Sequence, residues 1–180
     1  MEELLSKLSS YNLVNNLFPG VVFNFILSKI INIDIFDGVS LLEKLILCYF
    51  VGMLIGRFAS LVVENVAQYM KVVKYAPYVD YVSASEKDPE IKVLSEVNNM
   101  YKNMFSTFVL LLLAVVLNFL LNNNAGMVLE SIRLHLTNNY YLYLTFVLAV
   151  FFLLSYRKQT RYVTKRIAKA LGKPDVNGGE

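Results

Sequence analysis

The sequence predicts an all-α integral membrane helical bundle of four transmembrane helices, with helices 2 and 3 extended into a cytosolic hairpin. Three observations carry this. Two runs, 105–121 and 140–155, are free of charge, and each is close to the length that crosses a hydrocarbon core of about 30 Å as a helix. Apolar residues make up 56% of the 180-residue chain and the mean hydropathy is +0.49, too apolar for an ordinary water-soluble domain. Basic residues gather on alternate connecting segments, as they do in multi-spanning proteins.

Residues 1–16 form an N-terminal cytosolic amphipathic segment. Its first ten residues hold two acids and one lysine, without the basic start and small-residue cleavage pattern of a secretory signal, so the N-terminus is expected to be retained. Residues 17–63 hold the first two spans. The first, 17–35, is interrupted by Asn24 and Lys29 and opens with Pro19 and Gly20, where proline suits an early helical position. It reads as a short or tilted span beginning near Gly20, with a re-entrant or interfacial segment as the alternative. The second is centred on 45–56 and extends over about 39–63, with Glu43 and Lys44 near its start and Arg57 able to snorkel or pair within the bundle.

Residues 64–104 read as a cytosolic helical hairpin. Val62, Val66, Tyr69, Met70 and Val73 make a helical stripe that ends near Lys71, Lys74 and Pro77, so the second span is expected to continue for about three turns beyond the bilayer. Asp88 is a suitable N-cap, Pro89 a suitable first helical residue and Glu90 favours the positive end of the dipole. Ile91, Leu94, Tyr101, Phe105 and Phe108 come next at helical spacing. A helix over 89–121 would be about 50 Å long, leaving 76–87 as the projecting tip. Residues 105–155 hold spans three and four, and 156–180 form a basic cytosolic tail.

Orientation is read from charge. The 64–104 segment holds Lys71, Lys74, Lys87, Lys92 and Lys102, and seven basic residues without an acid fall in 156–174, whereas the loop over 122–139 holds only Arg133 as a Lys or Arg. The positive-inside rule puts the hairpin, the tail and both termini in the cytoplasm.

Little in the chain suggests catalysis. There is one histidine, His135, and one cysteine, Cys48, so neither a metal site nor a disulfide framework is expected. No glycine-rich phosphate loop or paired-histidine motif is present. The charges Arg57, Glu64, Asp80, Glu86 and Asp88 fit no catalytic spacing, and a non-enzymatic protein without a cofactor is expected.

The most specific intramembrane pattern is Gly52, Gly56 and Ser60, small residues at every fourth position, which allow close helix approach within one chain or between copies in a homo-oligomer. Arg57 and Glu64, two turns apart on one face, join Asn24, Lys29 and Asn118 as candidate gating or polar-path residues. Arg157, Lys158, Arg161, Lys165, Arg166, Lys169 and Lys173 are candidate contacts to anionic lipid headgroups. The tail has no recognisable nucleic-acid-binding fold, so nucleic acid is not the expected partner. Paired asparagines at 15–16, 98–99, 122–124 and 138–139 are expected to cap helix ends.

Leu17, Phe18, Pro19 and Gly20, the Gly56–Arg57 step, and Asp88 and Pro89 leading to Glu96, Asn98, Asn99 and Tyr101 together resemble small multi-spanning bacterial membrane proteins associated with antiphage defence. Membrane accessory proteins of RNA-targeting CRISPR systems are among them. The resemblance implies an inner-membrane effector switched on by a cytosolic sensor to disturb the membrane during phage infection. With the architecture it sets the expectation of an oligomeric, channel-like protein engaged by a cytosolic partner or ligand at the 64–104 hairpin. The alternative is a non-catalytic anchor or scaffold for such a partner.

Overall fold

A computed structural model describes residues 2–31, 36–122 and 140–174. Arg133 and His135, together with Asp34, lie outside the described residues. The described chain is all-α. Helix α1 is Glu2–Ile31, α2 is Leu41–Phe58, a π-helical turn over Ala59–Val63 leads directly into α3 at Glu64–Tyr69, α4 is Tyr78–Lys87, α5 is Glu90–Asn122 and α6 is Tyr140–Ala170. Four stretches are long and apolar enough to cross a membrane: Leu13–Ile30, Leu41–Tyr69, Glu90–Asn118 and Tyr140–Ala170.

Local chemistry sets several helix ends. The Ser40 hydroxyl accepts from the Glu43 backbone while the Glu43 carboxylate accepts from the Ser40 backbone N–H at 2.8 Å, a complete capping box at the start of α2. At α5 the Asp88 carboxylate accepts from the Glu90 N–H at 3.2 Å, satisfying an N–H that has no intrahelical partner.

Pro19 corrects the expected start of the first helix. It lies buried in the middle of α1 rather than at its N-terminus, so residues 2–16 and the first span share one helix. A proline there removes one backbone hydrogen bond. Directly after it, Gly20 meets α2. A Cβ built on Gly20 would lie 1.8 Å from the Cys48 carbonyl oxygen, and one on Gly52 would lie 1.6 Å from the Asn16 carbonyl oxygen. The two glycines therefore aim Cα–H groups at facing carbonyls, and the backbones of α1 and α2 approach as closely as helices can.

Ile26, Leu27 and Ile30 of α1 pack with Met104, Phe108 and Leu111 of α5 and Ala149 of α6 to form the main core. Phe152 stacks on Phe108 at 5.5 Å between ring centroids. The outer faces are also apolar: Leu42, Ile46, Phe50, Leu54, Phe146, Phe151 and Leu154 are all exposed. An apolar outside around an apolar inside is what a bundle dissolved in hydrocarbon requires.

The region beyond the spans differs from the expected projecting hairpin. The helix after the second span stops at Tyr69, and Lys71 takes a left-handed conformation with φ 58°. The expected tip is mostly helix α4, folded back on the end of α6, where Ala84, Ile91, Val163 and Ile167 make a second core. The apolar stripe expected over 62–73 divides between two faces, and its Val73 is buried. Val63 and Ala67 point inward, whereas Val62, Val66, Met70 and Tyr69, the last 88% exposed, point outward. The π turn adds a residue to its turn and so rotates α3 about the helix axis.

Candidate functional site

Polar side chains from α1, α2, α3, α5 and α6 meet immediately beyond the apolar runs, forming one layer across the bundle. Its centre is Lys102, whose side chain is 7% exposed. Its Nζ donates to a Glu64 carboxylate oxygen at 2.5 Å and to the Ser60 hydroxyl at 3.4 Å. The π turn supplies Ser60 and delivers Glu64 one residue later, a placement common for such turns at functional positions. Removing either ion would leave the other charge in a site of reduced hydration, so the pair is obligatory even though its net stabilisation over an apolar alternative is small.

The layer extends to both sides. Asn103 donates to the Asn15 side chain at 3.1 Å and Asn16 donates to the Tyr49 hydroxyl at 3.4 Å, joining α5 to α1 and α1 to α2. Thr160 donates to Asn98 at 3.0 Å, and Gln159 donates to the Leu94 carbonyl at 3.1 Å, joining α6 to α5. The Tyr75 and Tyr156 hydroxyls share a 2.5 Å hydrogen bond, and burial pushes the Tyr75 phenol up to about 12 against the opposing effect of that bond. Asn15, Asn16, Asn98 and Asn99 are thus interior positions of helices rather than caps. The Asn15, Asn16 and Asn98 amides are tolerated there because partners on neighbouring helices bond to them, and Asn99 lines the adjoining cleft.

A cleft of about 370 Å³ opens into the layer, lined by Asn15, Asn16, Arg57, Ser60, Asn99 and Lys102 among others. Arg57 lines it, is exposed and pairs with no carboxylate among the described residues. Glu64, two turns beyond Arg57, takes Lys102 as its direct partner. The cleft offers cationic and amide groups, suited to binding anions or ordered water.

The small-residue stripe is occupied inside the chain. Gly52 is pressed on Asn16, a Cβ built on Gly56 would lie 3.6 Å from the Asn103 amide nitrogen, and Ser60 contacts Lys102. The structure does not bring the remaining polar-path candidates into this layer. Asn24 holds a buried Oδ1 without a hydrogen-bond partner, and Lys29 lies over the Phe25 ring at 5.9 Å. Lys29 and Asn118 sit about four turns from Asn16 and Asn103 along α1 and α5.

The basic tail is the second half of α6, and part of it is tied down. Arg166 grips Asp88 through Nε at 2.6 Å and Nη2 at 3.2 Å and also pairs with Glu90. Lys173 pairs with Asp80 at 2.7 Å. These bonds clamp α4 and the start of α5 to α6, and the Arg166 guanidinium holds the Asp88 carboxyl below its ordinary value. Arg157, Lys158, Arg161, Lys165 and Lys169 remain exposed.

Lys102 and the interior asparagines were the residues that sequence reasoning missed. A signal existed: Asn98 and Lys102, and Asn99 and Asn103, are two (i, i+4) pairs immediately before the third apolar run. Neither a family model, nor a curated protein, nor a solved structure matches this chain.

Proposed function

We propose that the chain inserts into a bacterial plasma membrane as an oligomeric effector, with the α4 lobe in the cytoplasm, and that a cytosolic partner or ligand switches it to make the membrane permeable, in antiphage defence. The observation that carries this reading is the Glu64–Lys102–Ser60 layer with its open cleft. A charged, hydrogen-bonded layer at the end of four apolar spans is costly to maintain for anchoring alone. Helices α5 and α6 run through this layer into the lobe without a break, so displacement of the lobe tilts the helices that carry Asn98, Lys102 and Thr160. The trigger must bind the permeable arrangement more tightly than the closed one, by about 2.7 kcal/mol for a hundredfold shift in population. Copies sharing a pore would meet through exposed helix faces, because Gly52 is committed to α1.

The test is membrane potential and dye entry in cells expressing the intact chain, with and without phage challenge, beside Arg57→Gln. Trigger-dependent depolarisation that weakens in the variant is the expected result. An unchanged potential in cells where the protein is verified in the membrane overturns the proposal.

One observation favours a second reading, a non-catalytic anchor or scaffold. The Arg166–Asp88 and Lys173–Asp80 clamps make the lobe a preformed platform, as a docking surface requires. Capture of a cytosolic partner without any change in permeability is its signature.

A further inference from the structure

Between the end of α3 and the middle of α6 lies a pocket of about 510 Å³ lined by Gln68, Lys71, Lys74, Arg157 and Arg161 together with two valines. Four cations converge on it, no acid lines it, and none of the four pairs with a carboxylate among the described residues. Glu64, close enough to act electrostatically on Tyr75, is already engaged by Lys102. Like charges gathered without a counter-ion repel one another, and a bound anion would relieve that repulsion.

The pocket is built from residues far apart in sequence and held by uncharged contacts. Arg157 and Arg161 are one turn apart on α6 and share a face. The facing connector turns through paired backbone hydrogen bonds, Val72 N–H to the Ala67 carbonyl at 2.9 Å and Lys71 N–H to the Gln68 carbonyl at 2.9 Å. In this Schellman turn Lys71 occupies the left-handed position that glycine ordinarily fills. Val73 is buried beside Ala67 and Tyr156. Thr164 donates to the Lys74 carbonyl at 3.1 Å, and Tyr75 bonds to Tyr156. The connector is thus riveted to α6 on both sides of the arginine pair, and the walls are in place before a ligand arrives.

We propose that this pocket binds a phosphate-bearing anion, with the Arg157 and Arg161 guanidiniums taking phosphate oxygens in a forked geometry and the Lys71 and Lys74 ammoniums neutralising the remaining charge. Two sources offer that chemistry. A phospholipid headgroup could enter from the membrane side, where the pocket adjoins exposed Tyr69 and Met70, and a soluble phosphate compound could enter from the aqueous side. The site is independent of the effector reading: it binds or fails to bind whether or not permeability changes.

The full chain in neutral detergent is titrated separately with phosphatidylglycerol in mixed micelles and with pyrophosphate, and bound ligand is counted by native mass spectrometry. One saturable equivalent per chain is expected for at least one probe. Arg157→Gln with Arg161→Gln, and separately Lys71→Asn with Lys74→Gln, should each weaken apparent affinity at least tenfold. Asparagine is chosen at Lys71 because it tolerates the left-handed conformation. Lys87→Gln with Lys92→Gln removes the same charge elsewhere, at exposed positions outside the pocket, and should stay within twofold of the parent. Phosphatidylglycerol binding alone assigns the site to a headgroup, and pyrophosphate binding alone assigns it to a soluble ligand. Absence of saturable binding to both probes, or equal weakening by the control pair, overturns the proposal. If the glutamine variants do not fold, Arg157→Lys with Arg161→Lys decides: this pair keeps the charge but loses the fork, and affinity equal to the parent's overturns the arginine assignment.

Discussion

Gly52→Ala and Gly56→Ala should have opposite effects, although the two glycines belong to one sequence stripe. At Gly52 the new methyl would lie 1.6 Å from the Asn16 carbonyl oxygen and 2.6 Å from its carbon. Ordinary C···O contact needs about 3.3 Å, and the obstacle is backbone, so no rotamer change relieves it. Helices α1 and α2 must part, at a cost of about 1–3 kcal/mol for overpacking of this kind. At Gly56 the nearest atom is the Asn103 amide nitrogen at 3.6 Å, and the methyl fits. Each substitution also gains the same helix propensity, up to about 1 kcal/mol. That gain cancels in the comparison, so Gly52→Ala should be less stable than Gly56→Ala by about 1–3 kcal/mol. Reversible unfolding in mixed micelles of rising dodecyl sulfate fraction measures the difference. Cys48 supplies a second probe, since it is the sole cysteine, is buried, and belongs to the turn that Gly20 contacts. Its reaction with a maleimide should accelerate in Gly52→Ala and stay unchanged in Gly56→Ala. Equal stability of the two variants, or greater damage from Gly56→Ala, would refute the close-approach argument.

Lys102→Met strands Glu64 and should cost toward the low end of about 3–5 kcal/mol, because Glu64 retains some solvent contact. Adding Glu64→Leu should recover part of that loss in the same unfolding assay, and a double variant no better than the single would show that the pair is not coupled. Asp88 has a folded-state carboxyl value below its ordinary one, so its contribution is present above the unfolded value of about 3.9 and is lost as pH falls through the lower folded value. Amide exchange in α4 should therefore speed up selectively in that acidic window, an effect absent in Asp88→Asn. Tyr75 has the opposite sign. Its phenol is raised from 10.0 to about 12, so its contribution is whole below pH 10 and fades as pH rises through about 12. Ultraviolet titration of Tyr75→Phe should show one tyrosinate fewer than the parent only above about pH 11, and a difference already complete at pH 10.5 would contradict the buried placement.

Residue order alone was enough for the all-α class, the approximate places of four helices long and apolar enough to cross a membrane, and the Asp88–Glu90 helix start. A helix satisfies its backbone within one segment, and bilayer thickness translates directly into run length, so these features are written locally. Which faces meet was settled only by the folded bundle. That Gly52 closes on Asn16, that Lys102 rather than Arg57 takes Glu64, that the asparagines bond across helices, and that 78–87 folds back as α4 all depend on contacts between segments far apart in the chain. Hydropathy runs and helical periodicity carry no information about such partners. The π turn at Ala59–Val63 adds a further reason, because it changes the angular register of every residue after it. The contacts of Ser60 and Glu64 with Lys102 that follow from it do not exist until the bundle has formed.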